Sequence, residues 1–560
     1  MNGRRRARRL VLGALGAYCL VSFLFFGLRL LVDPGWQYLG PHDDPQISIW
    51  AFAWWPHAIL NGQNPFVTPD FWAPSGFNLT WSTSLPGLAL AFAPLTLAVG
   101  PVAAYDVAAV LMPALTAWTA FLLCRRLTGA AWPSFAGGYL FGFSSYMIAQ
   151  QSAGHLQLTA VFLVPLAALV VLDGVHGRVG GRGVLLRLGV LLAFQLLIST
   201  EVAVTMTLAL GVALALSCVL VPTTRGGIRS LLRPLVGAYA FAALLTAPFL
   251  YYVFSDFRQT INSPQAYVAD LVNIVVPTSV TLAARGWTGW VHLRGNSGEN
   301  GAFLAFPALV IAALYSWPRR RTAAARFLVA SLLVAVFLSL GSELRVDGQG
   351  ITPLPWLALV HVPVFDNVLP ARFTDYAALS LAAIVAIWTA SRPARSLLRW
   401  VLPLLAMVAL LPDLSGSEWS TRYQVPPFFT DSAYRTCLDP GEIVLPLPIS
   451  DRGDADLWQV ASGFRFRLAG GRIVAQPPAA VMHPAAIAQV AEGTLPSPGG
   501  PDETKAIAEY IRERQVESVI VDASESGIWA PVLAPIATGQ EIGGVLLYNI
   551  SSLAPSCGGS

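Results

Sequence analysis

Long apolar segments alternate with short arginine-rich segments along the first 412 residues of the chain. The first apolar segment, residues 10–32, follows five arginines in residues 4–9 and is long enough to cross a hydrocarbon core of about 30 Å. Its length fits an uncleaved signal anchor, and no small-residue cleavage site follows it. Ten further apolar segments lie at 102–124, 131–149, 157–175, 186–202, 203–221, 234–254, 301–317, 325–341, 373–391 and 398–412. The pattern predicts a mainly α, polytopic transmembrane bundle of about eleven spans.

Arginine clusters between these segments predict which helix ends face the cytoplasm. An arginine at the centre of a bilayer helix costs roughly 2.5–3.5 kcal/mol, and cytoplasmic loops are enriched in Lys and Arg. The clusters are Arg125 and Arg126; Arg178, Arg182 and Arg187; Arg225, Arg229 and Arg233; Arg319 to Arg321 and Arg326; and Arg392, Arg395 and Arg399. With eleven spans, all of them fall on the side of the N-terminus. We therefore predict a cytoplasmic N-terminus and an extracytoplasmic C-terminal region.

The segment 85–99 is also apolar, but it has only about 15 residues and contains Pro86 and Pro94. Counting it as a span would place every later arginine cluster outside the cytoplasm. We therefore predict that this segment is an interfacial or re-entrant element packed against protein.

Composition agrees with a bilayer protein. The chain is 55% hydrophobic and only 12% charged, and its mean hydropathy is +0.59. The net charge of +4 is small and the basic residues are dispersed, which excludes a nucleic-acid-binding surface and leaves membrane lipids as the surroundings. Arginine far outnumbers lysine, which occurs once at Lys505, and Ala, Gly and Pro are abundant. This usage is typical of a high-GC bacterial genome and predicts a bacterial plasma membrane protein.

The first external loop, residues 33–100, contains carboxylates and histidines but no lysine or arginine. His42, Asp43 and Asp44 precede an aromatic, helix-like stretch that we place at the membrane interface. The two aspartates have two interpretations. They cap that helix, or one of them is a general base, which requires hydrogen-bond reach to a substrate hydroxyl and shielding from water. Neighbouring side chains usually point apart, so only one serves as the base, and we favour Asp44.

Further polar residues occur at the external ends of the predicted spans. His155 follows the third span, Glu201 lies at a hairpin tip, and Asp270, Glu299 and Asn300 lie in the loop 255–300. Each has a structural interpretation, since a histidine caps helices and a glutamate interrupts a helix at its turn. Their common side of the membrane favours a role in substrate binding.

Arg372 lies at the mouth of a predicted span on the same external side. An arginine there runs against the usual charge bias, which indicates an anionic partner. Its guanidinium could fork onto a lipid phosphate with two hydrogen bonds. The alternatives are an ion pair with Asp375 and contact with a lipid headgroup.

Residues 413–560 have the pattern of a small α/β domain. Apolar alternation predicts strands at 441–447, 516–522 and 544–550 and an amphipathic helix at 502–514. We expect acceptor binding or a lid role for this domain, which has no nucleotide-binding fingerprint and no metal-ligand spacing. If it is exported, Cys437 and Cys557 form a disulfide. The predicted domains are thus a transmembrane domain, 1–412, and an extracytoplasmic domain, 413–560.

These features together resemble the GT-C class of polytopic glycosyltransferases, especially bacterial members that use polyprenyl-phosphate sugars. The resemblance covers about residues 10–410. It is carried by Asp43 and Asp44, the turn at 61–66, the segment 72–76, Gly154 and His155, Glu299 and Asn300, and the segment 371–373. It implies an inverting hexosyl- or pentosyltransferase that transfers a sugar to an extracytoplasmic glycan, lipid or protein. Asp43 or Asp44 would deprotonate the acceptor, and Arg372 and His155 would bind the leaving phosphate.

Metal dependence stays open, because the aspartates here are adjacent and not separated by one residue as in some members. Oxygen ligands suit Mg²⁺ or Mn²⁺, but two carboxylates do not complete a site. Two other functions remain as alternatives. A transporter or flippase of lipid-linked sugars would place charges near the bilayer midplane, whereas a non-catalytic cell-envelope assembly protein would not need its first loop.

Overall fold

The computed structural model describes residues 2–33, 35–256, 263–286, 288–423, 425–449, 453–471, 501–551 and 557. Helices dominate the part before residue 412. They are α1 (Asn2–Phe25), α2 (Asp44–Leu60), α3 (Pro86–Ala91), α4 (Ala93–Val99), α5 (Pro101–Thr128), α6 (Ala131–Gly142), α7 (Ser145–Ser152), α8 (Leu156–Thr159), α9 (Leu163–Val175), α10 (Gly181–Ile198), α11 (Thr200–Leu220), α12 (Arg225–Leu245), α13 (Ala247–Ser255), α14 (Phe306–Arg319), α15 (Ala323–Ser339), α16 (Phe373–Ser391) and α17 (Leu398–Val408). The predicted mainly α, multi-pass fold is confirmed.

Seven helical segments in the described chain are long and apolar enough to cross a membrane. They are Arg5–Phe25, Pro101–Thr128, Leu156–Val175, Gly181–Ile198, Thr200–Leu220, Pro222–Leu245 and Pro370–Ser391. Several predicted spans are divided between two helices. The segment 131–149 is not one helix, because the Ser144 side chain accepts a hydrogen bond from the Met147 amide and so begins a new helix, α7. Thr246 separates α12 from α13. The count of eleven spans therefore stays a prediction.

The segment 85–99 forms two short helices, α3 and α4, that meet at Phe92. Each begins with a proline near its first position, where the missing amide hydrogen costs nothing. Gly87 lies directly against Leu197 and Ile198 of α10, and a Cβ atom at this glycine would meet both at 3.1 Å. Neither helix is long enough to span a bilayer, as the sequence predicted.

The two ends of the helical bundle differ in their polar residues. At one end the Arg126 Nε atom pairs with the Asp173 carboxylate at 2.7 Å, next to Arg178. At the other end of α5, Asp106 accepts a 2.9 Å hydrogen bond from the Leu39 amide in the first polar loop. Twenty residues of helix separate Asp106 from Arg126, which corresponds to about 30 Å. The polar loop therefore lies across the bundle from the arginine cluster.

The C-terminal part contains a five-stranded sheet of order β10-β11-β9-β7-β8. Its strands are β7 (Ile443–Leu447), β8 (Arg467–Leu468), β9 (Ser518–Asp522), β10 (Gly539–Ile542) and β11 (Val545–Asn549). The helices α18 (Pro427–Thr430), α19 (Tyr434–Cys437), α20 (Ala455–Ala461), α21 (Pro501–Glu513) and α22 (Ser526–Leu533) accompany the sheet. Strand β7 runs parallel to both β8 and β9, while β9, β11 and β10 are antiparallel neighbours. The α/β pattern expected from the sequence is present in the described residues.

Short strands also occur in the loops of the helical part, and one of them pairs with the C-terminal part. Strands β2 (Val67–Thr68) and β3 (Phe77–Asn78) form a hairpin within the first loop, and β4 (Glu343–Val346) pairs with β5 (Gln349–Pro353) in a later one. Strand β1 (Gln37–Leu39) pairs antiparallel with β6 (Ser420–Arg422). This pairing crosses the predicted boundary at residue 412, so the first loop and the C-terminal part form a continuous structure. The boundary itself stays a prediction.

The structure joins Cys437 and Cys557 in a disulfide, and Cys19, Cys124 and Cys218 are free thiols. We expect a maleimide to label three thiols in the denatured, unreduced protein and five after reduction, as measured by intact mass. Cys437→Ser should raise the unreduced count to four, because it releases Cys557. Five labelled thiols before reduction would contradict the pairing.

Candidate active site

The two adjacent aspartates have different roles at the start of α2. The Asp43 carboxylate accepts a 2.8 Å hydrogen bond from the Asp44 amide and occupies the N-cap position of the helix. Pro45 follows within the first turn, where proline is well tolerated. The Asp44 carboxylate points elsewhere, with its Oδ2 atom 2.8 Å from the Nε2 atom of His155. The capping interpretation therefore fits Asp43, whereas Asp44 is engaged with a second predicted residue.

A tight turn places His155 against the start of α2. Gly154 adopts a left-handed conformation with φ of +72°, and a Cβ atom there would lie 2.6 Å from the ring of Pro45. Glycine meets both requirements because it lacks a Cβ atom. The turn is closed by a 3.0 Å hydrogen bond from the His155 amide to the Gln150 carbonyl. The Gly154–His155 pair is thus needed to bring the imidazole to Asp44.

Gln150 holds the other side of the imidazole ring. Its Oε1 atom lies 2.6 Å from His155 Nδ1, and its Nε2 atom donates to the Gly298 carbonyl at 2.6 Å. The Glu299 Oε1 atom lies 4.0 Å from the same His155 nitrogen. Both ring nitrogens of His155 therefore have partners.

Arg372 joins two glutamates in the interior of the site. Its Nη2 atom donates to Glu299 Oε1 at 2.9 Å, and its Nη1 atom donates to the second Glu299 oxygen. Its Nε atom lies 3.3 Å from Glu201 Oε1, which also accepts from the Leu369 amide at 3.1 Å. All three guanidinium nitrogens of Arg372 thus contact a glutamate carboxylate.

Five of the predicted site residues consequently form one polar network. In order they are Asp44, His155, Glu299, Arg372 and Glu201. The exposed fraction of the side chain falls from 30% at Asp44 to 14% at His155 and 5% at Arg372. Asp44 is therefore the member of this network that is most open to a substrate.

The charges around His155 favour its protonated form. Burial opposes protonation, but the hydrogen-bonded Asp44 carboxylate and the nearby Glu299 outweigh that cost and the repulsion of Arg372, so the pKa of His155 is raised. Because the pKa of His155 in the folded protein lies above the ordinary histidine value of 6.5, the imidazolium still predominates at pH 6.5. It is lost as the pH rises through the raised pKa.

Other predicted residues make different contacts. The Asp270 carboxylate accepts backbone hydrogen bonds from Val272, Asp347 and Gly348, and so fixes the β4–β5 turn. The Asn300 amide donates to the Arg294 carbonyl at 3.1 Å. Neither contact belongs to the network of Asp44, and each explains its residue by local folding.

Arg372 pairs with Glu299 and Glu201 and not with Asp375, the protein partner suggested by the sequence. Its two-pronged contact is made to Glu299, and phosphate binding by Arg372 stays a prediction. The Asp375 carboxylate, the predicted alternative, is buried and has no hydrogen-bond partner among the described residues. Glu299 competes for the guanidinium because it presents two oxygens in a buried position, where a paired charge is strongly favoured.

The two aspartates do not fit a shared Mg²⁺ or Mn²⁺ ion in this arrangement. Asp43 bonds to the backbone of α2 and Asp44 to His155, so their carboxylates face different partners. The described residues contain no group of three or more His, Cys, Asp or Glu side chains placed to bind a metal. We therefore derive no chemical step through a metal.

Two contacts from the C-terminal part reach the same end of α2. The Asp454 carboxylate accepts from Gln46 at 2.6 Å and lies 3.1 Å from His42 Nε2. Trp50 Nε1 donates to Gln459 at 2.6 Å. Sequence reasoning missed these partners because they lie about 400 positions away. The C-terminal part consequently borders the site.

The helical bundle of this multi-pass membrane protein has a GT-C fold. Arabinofuranosyltransferase AftD from Mycobacteria matches with a TM-score of 0.59 and 15% identity, over 97% of this chain and 40% of AftD. A family model described as "Domain of unknown function (DUF6311)" matches residues 14–411. The chain belongs to that family. The comparison with curated proteins found no match.

Two further solved structures are similar at lower scores. Oligosaccharyltransferase AglB from Archaeoglobus fulgidus has a TM-score of 0.49 and 12% identity, over 98% of this chain and 75% of AglB. ArnT from Cupriavidus metallidurans has a TM-score of 0.48 and 12% identity, over 99% of both chains. The fold assignment rests on AftD, of whose length this chain spans about two fifths.

Proposed function

We propose that this protein is a membrane glycosyltransferase that moves a sugar from a polyprenyl-phosphate donor to an extracytoplasmic glycan, lipid or protein acceptor. The observation that carries the proposal is the Asp44–His155 pair, a partly exposed carboxylate held at 2.8 Å by a buried imidazole at the polar end of the bundle. A fold shared with an arabinofuranosyltransferase supports the same reaction class.

Asp44 serves as the general base. Its carboxylate removes the proton from the acceptor hydroxyl, whose oxygen attacks the anomeric carbon of the donor sugar. The bond from that carbon to the phosphate oxygen breaks, and polyprenyl phosphate leaves with the bonding electrons. Attack opposite the leaving group inverts the anomeric configuration. The activated donor supplies the driving force, so no nucleotide is required.

His155 supports the reaction by its charge and is not the direct base. Its Nε2 and Nδ1 atoms lie against Asp44 and Gln150, so neither nitrogen is open to an acceptor hydroxyl. As an imidazolium it donates to the Asp44 carboxylate and so orients the base. Arg372 holds Glu299, whose Oε1 atom lies 4.0 Å from His155 Nδ1, and also pairs with Glu201.

Purified protein in nanodiscs should test this function with a panel of radiolabelled polyprenyl-phosphate sugars and a membrane acceptor extract. We expect acceptor-dependent transfer of label from at least one donor. A flippase would instead move the labelled lipid across a vesicle membrane without forming a new glycosidic bond. An assembly protein would do neither, and absence of transfer across the whole panel would contradict the proposal.

A further inference from the structure

Gln150 is a buried neutral residue that contacts the imidazole of the proposed site. It lies in α7 and is 1% exposed, and this helix is fixed at its start by the Ser144 cap. Its side-chain amide makes two hydrogen bonds of 2.6 Å, one to His155 and one to the Gly298 carbonyl. Two short contacts in a buried position hold the amide in one orientation.

The Gly298 contact determines which amide atom faces His155. A carbonyl oxygen only accepts hydrogen bonds, so the Gln150 nitrogen must point at Gly298. The Gln150 oxygen therefore faces His155 Nδ1, and an amide oxygen is also only an acceptor. It follows that Nδ1 carries a hydrogen in every state in which this contact is made.

That hydrogen leaves a single further proton between His155 and Asp44. If Nε2 carries it, the ring is an imidazolium that donates to the Asp44 carboxylate at 2.8 Å. If Asp44 carries it, the ring is neutral and Nε2 accepts. The tautomer in which only Nε2 is protonated would place two acceptors against each other at Nδ1, so the Gln150 contact disfavours it.

We propose that Gln150 is a positioning residue that fixes the Nδ1–H form of His155 and thereby retains the imidazolium beside Asp44. The proposal deepens, and its activity readout rests on, the proposed glycosyl transfer. The charged groups that face His155 are Asp44 from α2, Glu299 from the loop before α14 and Arg372 from the start of α16. Two carboxylates against one guanidinium leave the surroundings favourable to a cation, and Gln150 adds an acceptor without adding charge.

Three variants test this role. Gln150→Met keeps the length of the side chain and removes the acceptor, whereas Gln150→Glu keeps an acceptor and adds a negative charge. Gln151→Met is the matched control, because the Gln151 side chain is also buried but donates to the Ala109 carbonyl at 3.2 Å and not to a side chain of the site. The Gln151 backbone carbonyl, which accepts from the Gly154 amide, is unchanged by this substitution. Thermal unfolding of each variant identifies any that fails to fold.

The first readout is the ¹⁵N NMR spectrum of the His155 ring, assigned by the signals lost in His155→Gln. We expect wild type to show a protonated Nδ1 throughout the pH range in which His155 and Asp44 retain their shared proton. Gln150→Met should shift the neutral ring toward the Nε2–H form and lower the pH at which the ring loses its charge. Gln150→Glu should raise that pH, and Gln151→Met should leave both signals unchanged.

The second readout is the pH profile of kcat/KM. Because the imidazolium is the active form, activity falls as pH rises through its titration. Gln150→Met should move this fall to lower pH and reduce kcat/KM about tenfold on the alkaline side, as expected for one buried hydrogen bond. Gln150→Glu should move it to higher pH.

The NMR readout separates failure of this inference from failure of the proposed function. A wild-type ring with an unprotonated Nδ1 in that pH range would overturn the role of Gln150 even if sugar transfer is observed. Equal shifts in Gln150→Met and Gln151→Met would overturn it as well. Conversely, the expected tautomer in a protein that transfers no sugar would keep the Gln150 assignment and reject the reaction.

Discussion

Replacing Asp44 with asparagine is expected to reduce sugar transfer roughly 10²–10⁴-fold, the range that a positioned general base contributes. Asparagine has the same shape and offers an oxygen to the Nε2–H of His155, so the contact between α2 and the Gly154 turn is retained. It cannot accept the acceptor proton, because an amide is far less basic than a carboxylate. The initial rate of transfer at saturating donor is the measurement.

Asp43→Asn is the matched control, since it makes the same chemical change at the neighbouring position. An asparagine oxygen still accepts the Asp44 amide and caps α2, so we expect transfer within a few-fold of wild type. Loss of transfer in Asp43→Asn with retention in Asp44→Asn would reverse the assignment of the base. Retention in both variants would reject an aspartate base at this loop.

Arg372→Met is expected to lower the free energy of unfolding by about 3–5 kcal/mol, as when one partner of a buried ion pair is removed. The change leaves the carboxylates of Glu299 and Glu201, whose side chains are 7% and 17% exposed, without their shared cation. It also frees the Glu299 carboxylate that lies near His155. Chemical denaturation of the purified protein in detergent measures the loss.

Arg126→Met provides the control for Arg372→Met. Arg126 pairs with Asp173 at 2.7 Å, but the two side chains are 28% and 21% exposed, so the loss should not exceed about 1 kcal/mol. Adding Glu299→Gln and Glu201→Gln to Arg372→Met should restore part of the stability by removing the unpaired charges. Equal losses in the two arginine variants would show that the Arg372 network contributes no more than a surface pair.

The apolar pattern predicted the helices because burial in lipid requires long runs without charge, and such runs are read directly from the chain. It did not predict the interruptions at Ser144 and Thr246, since a single polar residue inside an apolar run does not alter the average hydropathy. The interruption at Ser144 begins α7, which carries Gln150 to the site.

The candidate site was predictable as a set of residues but not as a set of contacts. Asp44, His155 and Glu201 share one side of the membrane, which the order of spans indicates. The pairing of Arg372 with Glu299, 73 positions apart, depends on how the loop before α14 folds, and no local pattern encodes it. Gln150 carries no charge and lies in an apolar segment, so its only signal is a buried amide next to the Gly154 turn.

The most direct test of the account is whether acceptor-dependent transfer releases free polyprenyl phosphate in equal amount to the labelled glycosylated product. Thin-layer chromatography of reactions with purified wild type and Asp44→Asn in nanodiscs measures both species at once. We expect equimolar release and transfer with wild type, and labelled donor left intact with Asp44→Asn. Equal turnover by the two proteins, or intact donor with both, would contradict a glycosyltransferase that uses Asp44 as its base.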